Sequence, residues 1–125
     1  MSLQIFLVED NAIIRDNLVP TLEDLVDANV LGSAESEADA CAWLDAHPHE
    51  WQLAVVDIFL RQGSGLGVLR CLQRRAPHQR VVVLSNYATD DMRRRSFATG
   101  ADAVFDKSNE LDAFFDYCRA TAGEA

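Results

Sequence analysis

Leu53-Ala54-Val55-Val56-Asp57 is an apolar run without polar alternation that stops abruptly on a carboxylate. A strand that faces solvent on one side alternates polar with apolar residues, so an unbroken run reads as a strand covered on both faces. Three further runs end in the same manner. Ile5-Phe6-Leu7-Val8 stops on Glu9-Asp10, Val81-Val82-Val83-Leu84 on Ser85, and Ala103-Val104-Phe105-Asp106 on Lys107. If these are parallel strands of one sheet, their carboxyl ends share one edge, where ligands bind in open α/β folds. That edge would gather carboxylates, a hydroxyl and an ammonium. Lys107 is the only lysine in the chain, beside ten arginines, so a position needing positive charge alone had another residue at hand.

Between the runs lie stretches of helical spacing. Ile14, Leu18, Leu22 and Leu25 mark one face of a helix starting near Asn11, in which Pro20 predicts a kink or early unwinding. Val30-Leu31 reads as a short second strand ending in a turn at Gly32-Ser33-Ala34. Ser36, with Glu37 and Asp39, opens a helix that stops before Pro48. The loop Arg61-Gln62-Gly63-Ser64-Gly65 precedes a helix carrying Leu66, Leu69 and Leu72. Thr89-Asp90-Asp91 starts a helix that Gly100 stops, and Leu111, Phe114, Phe115 and Cys118 line the last, after the cap candidates Ser108 and Asn109. Strand and helix thus alternate five times. With right-handed crossovers, this order predicts a doubly wound parallel α/β sheet, flavodoxin-like (βα)5 with strand order 2-1-3-4-5, as one domain over residues 1–125.

Composition narrows the function. The chain has 125 residues, 49% apolar and 25% charged, and a net charge of -9 from 20 acidic against 11 basic residues. An acidic surface disfavours direct nucleic-acid contact and suits protein or cation binding. No run reaches the ~18 apolar residues of a membrane span, and the start lacks a signal peptide, so a cytoplasmic protein is expected. Met1-Ser2-Leu3 reads as native or a cloning remnant, and Gly123-Glu124-Ala125 as a frayed end or cut linker. Cys41, Cys71 and Cys118 are odd in number, widely spaced and without a C-x-x-C pair, which predicts free core thiols. His47-Pro48-His49 lacks a third ligand at suitable spacing and reads as exposed loop. Trp43 and Trp51 read as core or rim. Arg93-Arg94-Arg95 spans too much of a helix circumference to meet one partner and reads as a solvated face.

In strand order 2-1-3-4-5, Asp10 and Asp57 face each other. Clustered carboxylates repel unless a cation joins them, and Mg2+ takes oxygen ligands while keeping waters that a phosphate oxygen can replace. Phe6-Leu7-Val8-Glu9-Asp10-Asn11, Val55-Val56-Asp57, Val83-Leu84-Ser85-Asn86 and Gly100-Ala101-Asp102-Ala103-Val104-Phe105-Asp106-Lys107, in this order and spacing, resemble the response-regulator receiver domain of two-component signalling. The resemblance implies that Asp57 accepts a phosphoryl group from a sensor histidine kinase or phosphotransfer protein in a Mg2+-dependent phosphorelay. It implies metal ligation by Asp10 and Asp57 directly, Glu9 through water and the Phe59 carbonyl. Ser85, Lys107 and the amides of Ile58 and Asn86 would bind the phosphoryl group. It further implies no enzymatic activity beyond the domain's own phosphorylation and dephosphorylation, no membrane partner, and an output domain or target met by the face of the fourth and fifth helices.

Three departures set further expectations. Val104 stands where the family commonly has an aromatic switch partner to Ser85, and Phe105 points to the opposite face, so phosphorylation is expected to move Ser85 and its loop while altering the outer face of the last strand less. Ser108 replaces the usual proline after the lysine, and Asn86 a small residue. Phe59 and Tyr87, each two positions past a site residue, sit at its mouth and predict slow hydrolysis. The alternatives are a receiver-like interaction module independent of phosphate, an aspartyl-phosphate phosphatase of haloacid-dehalogenase type, which would want an aspartate where Phe59 stands, and a nucleotide or flavin binder, for which the glycine pattern is wrong.

Overall fold

The structure, a computed structural model, describes residues 2–124, with Glu124 described by its backbone alone. Five parallel strands, β1 (Leu3–Val8), β2 (Ala28–Ala34), β3 (Leu53–Val56), β4 (Arg80–Ser85) and β5 (Ala103–Asp106), form one sheet in the order β2-β1-β3-β4-β5. They alternate with α1 (Ala12–Val26), α2 (Glu37–Ala46), α3 (Gly65–Cys71), α4 (Asp90–Ala98) and α5 (Leu111–Glu124). The flavodoxin-like doubly wound sheet expected from the apolar runs is the one observed. Among the described residues no helix is long and apolar enough to cross a membrane.

The absence of alternation in the central runs has the expected cause. Successive side chains of a strand point to opposite faces. Phe6, Val8, Ala54, Val56, Val81 and Val83 enter a core under α2 and α3, while Ile5, Leu7, Leu53, Val55, Val82 and Leu84 enter a second under α1 and α5. The same rule divides β5: Val104 joins the first core, and Phe105 packs edge-on against Phe114 and Tyr117 on the other side.

Several local expectations change. Pro20 does not end α1, which runs through to Val26. Pro20 lacks the N–H that the Asp16 carbonyl would accept, and one residue on, the Thr21 hydroxyl donates to the Asn17 carbonyl at 2.8 Å. The buried positions of α1 are Leu18, Leu22 and Val26, a strict four-residue step that leaves Leu25 exposed. Strand β2 continues through Gly32-Ser33-Ala34, paired with β1 beyond an irregularity at Ile5/Phe6. Gly32 answers to packing, since a Cβ there would lie 2.8 Å from the Trp43 indole nitrogen. Trp43 in turn stacks on Phe6 and His47, and Trp51 is buried. Ser64 caps α3 with its hydroxyl on the Gly67 amide. Helix α5 starts later than Ser108 or Asn109: Glu110 donates its amide to Asp106 and accepts from Phe114. It runs on through Gly123, so the end expected to fray is helical to Glu124, and Ala125 lies outside the described residues.

Cys41 and Cys71 are joined by a disulfide between α2 and α3, which corrects the reading of three free thiols. Spacing along the chain argued against it because the pairing lies across helices. Cys118 alone is a buried free thiol, and burial pushes it up to about 12.

Candidate functional site

Backbone ladders extend one step past the strand ends and fix the residues that matter. The Glu9 amide donates to Ala34, the Asp57 amide to Val8, and the Lys107 amide to Ser85, each at 3.0 Å. Parallel register therefore brings Glu9, Asp57 and Lys107 from separate strands to one edge.

There the Lys107 ammonium lies between two carboxylates. It donates to Glu9 in a short contact and to Asp57 Oδ2 at 3.1 Å, with all three side chains largely buried. Asp57 Oδ1 accepts from the Phe59 amide at 3.3 Å. Asp10 is held by the Arg61 amide, which donates to its Oδ2 at 2.7 Å. Glu9 also accepts from the Asn11 amide at 3.3 Å, and Asn11 Oδ1 caps α1 on the amides of Ile13 and Ile14.

Glu9, Asp10 and Asp57 each offer a ligand oxygen within 4.8 Å of the others. Burial pushes the Asp57 carboxyl up to about 6; Lys107 pulls it down and Glu9 raises it. Three carboxylates facing one ammonium leave an excess of negative charge in a place that resists it. A hard divalent cation with oxygen ligands, such as Mg2+, fits both the donor set and the missing charge.

Ser85 is buried at the end of β4, its Oγ accepting from the Tyr87 amide at 3.1 Å. Asn86 is exposed and, with the buried Leu84 and with Lys107, lines a groove of about 400 Å3 between α1 and α5 to which Ile14, Leu18 and Phe115 also contribute. Phe59 and Tyr87, both half-exposed, meet edge to face with centroids 5.1 Å apart. The two aromatics expected at the mouth therefore touch each other across two loops. Val104 is buried in the core that also holds Val83 and Ala101.

Some residues that shape the site were not legible in the sequence. Glu37 accepts from the Ser64 amide at 2.9 Å and donates its own amide to Gln62. Gly65 donates to the Ile58 carbonyl at 2.9 Å, so close that a Cβ would meet the Asp57 carbonyl oxygen at 2.2 Å. Arg93 corrects the reading of its triplet as solvated. Half-buried, it donates to the carbonyls of Ala88 and Val104 at 3.0 and 3.1 Å and pairs with Glu110 at 2.5 Å. Arg94 pairs with Asp91, and Arg95 stays exposed. Helical spacing alone does not say which of three consecutive arginines meets the neighbouring loop.

A buried carboxylate beside a lysine, on the carboxyl edge of a five-stranded parallel sheet, is the arrangement that this fold and its strand endings produce. The family model of the response regulator receiver domain matches residues 5–119, and the chain belongs to that family. It is 33% identical over 98 residues to the DNA-binding transcriptional activator DevR/DosR of Mycobacterium tuberculosis, covering 78% of this chain and 44% of that protein. It is 36% identical over 83 residues to the photosynthetic apparatus regulatory protein RegA of Cereibacter sphaeroides, covering 66% of this chain and 43% of that one. The chain thus spans less than half the length of these relatives. Among solved structures, a DNA-binding response regulator of the LuxR family from Staphylococcus aureus superposes with a TM-score of 0.83 at 15% identity, covering 95% of this chain and 98% of that one. The signal receiver domain of a DNA-binding response regulator from Colwellia psychrerythraea gives 0.83 at 20% identity, with 98% and 99% covered.

Proposed function

We propose that the chain, over residues 1–125, is a phosphoacceptor domain in which Asp57 takes a phosphoryl group from a phosphohistidine of a sensor kinase or phosphotransfer protein. The observation that carries this reading is the Lys107 ammonium held between Glu9 and Asp57, beside a carboxylate trio with cation-binding spacing. In the step, an Asp57 oxygen attacks phosphorus while the bond to the donor nitrogen breaks. The product is an acyl phosphate, and the donor histidine, already protonated on its other ring nitrogen, keeps the N–P bonding pair and leaves as neutral imidazole. The transition state concentrates charge on the phosphoryl oxygens. Mg2+ held by Asp10, Asp57, the Phe59 carbonyl and, through water, Glu9 would supply compensating charge there. Lys107 neutralises a second oxygen, and Ser85 and the amides of Ile58 and Asn86 donate to the rest. The apolar groove beside Lys107 suits a protein donor.

The output follows from Ser85. When its hydroxyl turns to the phosphoryl group it releases the Tyr87 amide, and the loop before α4 moves. The α4 and α5 face would present this change to an output domain or target. That DevR/DosR is a DNA-binding activator, of which the match covers 44%, supports a longer regulator whose nucleic-acid contacts lie elsewhere, in keeping with the net charge of -9 on this chain. Incubation with acetyl phosphate tests the reading: one phosphoryl mass is gained with Mg2+, none with EDTA, and none in Asp57→Asn. Gain without Mg2+, or in Asp57→Asn, contradicts it.

A further inference from the structure

We propose that the Cys41–Cys71 disulfide is a reversible modification site, reduced by a dithiol, that sets how firmly α2 and α3 hold the loop following Asp57. The effect on phosphoryl transfer rests on the reading of Asp57 as acceptor; the redox site itself does not.

Position makes the pair. Glu37 and Cys41 lie one helical turn apart on α2, Gly67 and Cys71 one turn apart on α3. Residues four apart share a helix face. At one level the Glu37 carboxylate lies where a Cβ on Gly67 would be, 2.2 Å from it, so the glycine lets the helices approach. One turn on, the cysteine Cα atoms are 5.9 Å apart and bonded. The upper contact is electrostatic and borders the site: Glu37 binds the Ser64 and Gln62 backbone. The lower contact is covalent. Gly65, at the start of α3 above the Gly67 level, rests on the Asp57 carbonyl.

Access makes the pair exchangeable. Cys71 is exposed and Cys41 half-buried, and a cavity of about 210 Å3 lined by Asp45, His49, Arg74 and Arg75 opens beside Cys71. Exposed disulfides are the labile ones. A thiolate of the dithiol attacks Cys71 Sγ, and Cys41 leaves as a thiolate and takes a proton. The second thiol then attacks the mixed disulfide and releases Cys71. Two electrons pass to the protein and the dithiol becomes a disulfide. Cys118, on the buried face of α5 itself, takes no part.

The test uses the chain purified without reductant and alkylated natively with iodoacetamide, before and after dithiothreitol. No label is expected before, and two after, on Cys41 and Cys71, with Cys118 unlabelled. Amide exchange across residues 58–71 is expected to quicken severalfold on reduction and to slow again after diamide, while the Cys41→Ser, Cys71→Ser double variant keeps the fast exchange in both conditions. Phosphoryl uptake from acetyl phosphate should slow with it. Two labels before reduction, or equal exchange in both states, overturns the proposal. If exchange responds but neither form takes up phosphate, the redox site holds and the acceptor reading is what fails.

Discussion

The two loops that flank Asp57 are built differently. The loop after β3 is fastened at every level: the Arg61 amide on Asp10, the Ser64 amide on Glu37, Gly65 against the Asp57 peptide, and the disulfide below. The loop after β4 hangs on lighter ties, the Tyr87 amide on Ser85 Oγ and the Ala88 carbonyl on Arg93. Each carries one ring of the aromatic pair. The contrast separates two needs of a switch. On the proposed reading, the nucleophile and its cation would require fixed geometry, since small misplacements cost large factors in rate. On the same reading, the Ser85 hydroxyl would require a loop that can leave one set of partners for another.

The largest effect should come from overfilling the fixed loop. Gly65→Ala places a Cβ against backbone, with no flexible side chain to yield. It should cost about 1–3 kcal/mol in chemical denaturation and lower phosphoryl uptake sharply. A loss below that range would mean the first loop yields as the second does.

Glu37→Ala strands the Ser64 amide and removes one fastening. A loss of about 1–2 kcal/mol is expected, with faster amide exchange confined to residues 58–65. Spread of the change to residues 86–89 would erase the distinction between the loops.

Truncating the aromatics should act on lifetime. Phe59→Ala and Tyr87→Ala each open the mouth to water, and either should shorten the half-life of the phosphorylated form without slowing its formation. Unchanged decay in both would show that the edge-to-face pair covers nothing that water needs.

The smallest effect concerns Arg93 and Glu110. Bonds from Arg93 and the Asp106 amide hold the Glu110 carboxyl below its ordinary range. A lowered folded pKa contributes stability that is present above the unfolded value and is lost as pH falls through the folded one. Acidification through that window should therefore loosen the loops before α4 and α5 while the loop after β3 keeps its exchange rates. Because the pair is about one-third exposed, a double-mutant cycle should return less than ~1 kcal/mol.

Much of the site was legible because strand endings are local facts. Glu9, Asp57, Ser85 and Lys107 each follow an apolar run, and a parallel sheet brings all such endings to one edge. Phe105 was placed correctly by the two-residue period alone. What escaped depends on where one helix stands beside another. The disulfide joins residues of α2 and α3 whose common spacing, Glu37 to Cys41 and Gly67 to Cys71, has meaning only once those helices are known to run side by side. Gly32 looked like a turn because nothing local points to the Trp43 ring above it. Leu25 fits a helical stripe as well as Val26 does, and only the core under α1 decides between them.

The central claim is that Asp57, braced by Lys107 and a cation, is the acceptor. Mass spectrometry of the intact chain after acetyl phosphate, with Mg2+ or EDTA, tests it most directly. One phosphoryl group on the wild type with Mg2+, and none on Asp57→Asn, is the predicted result. An unmodified wild-type chain under conditions where Mg2+ is bound would contradict it.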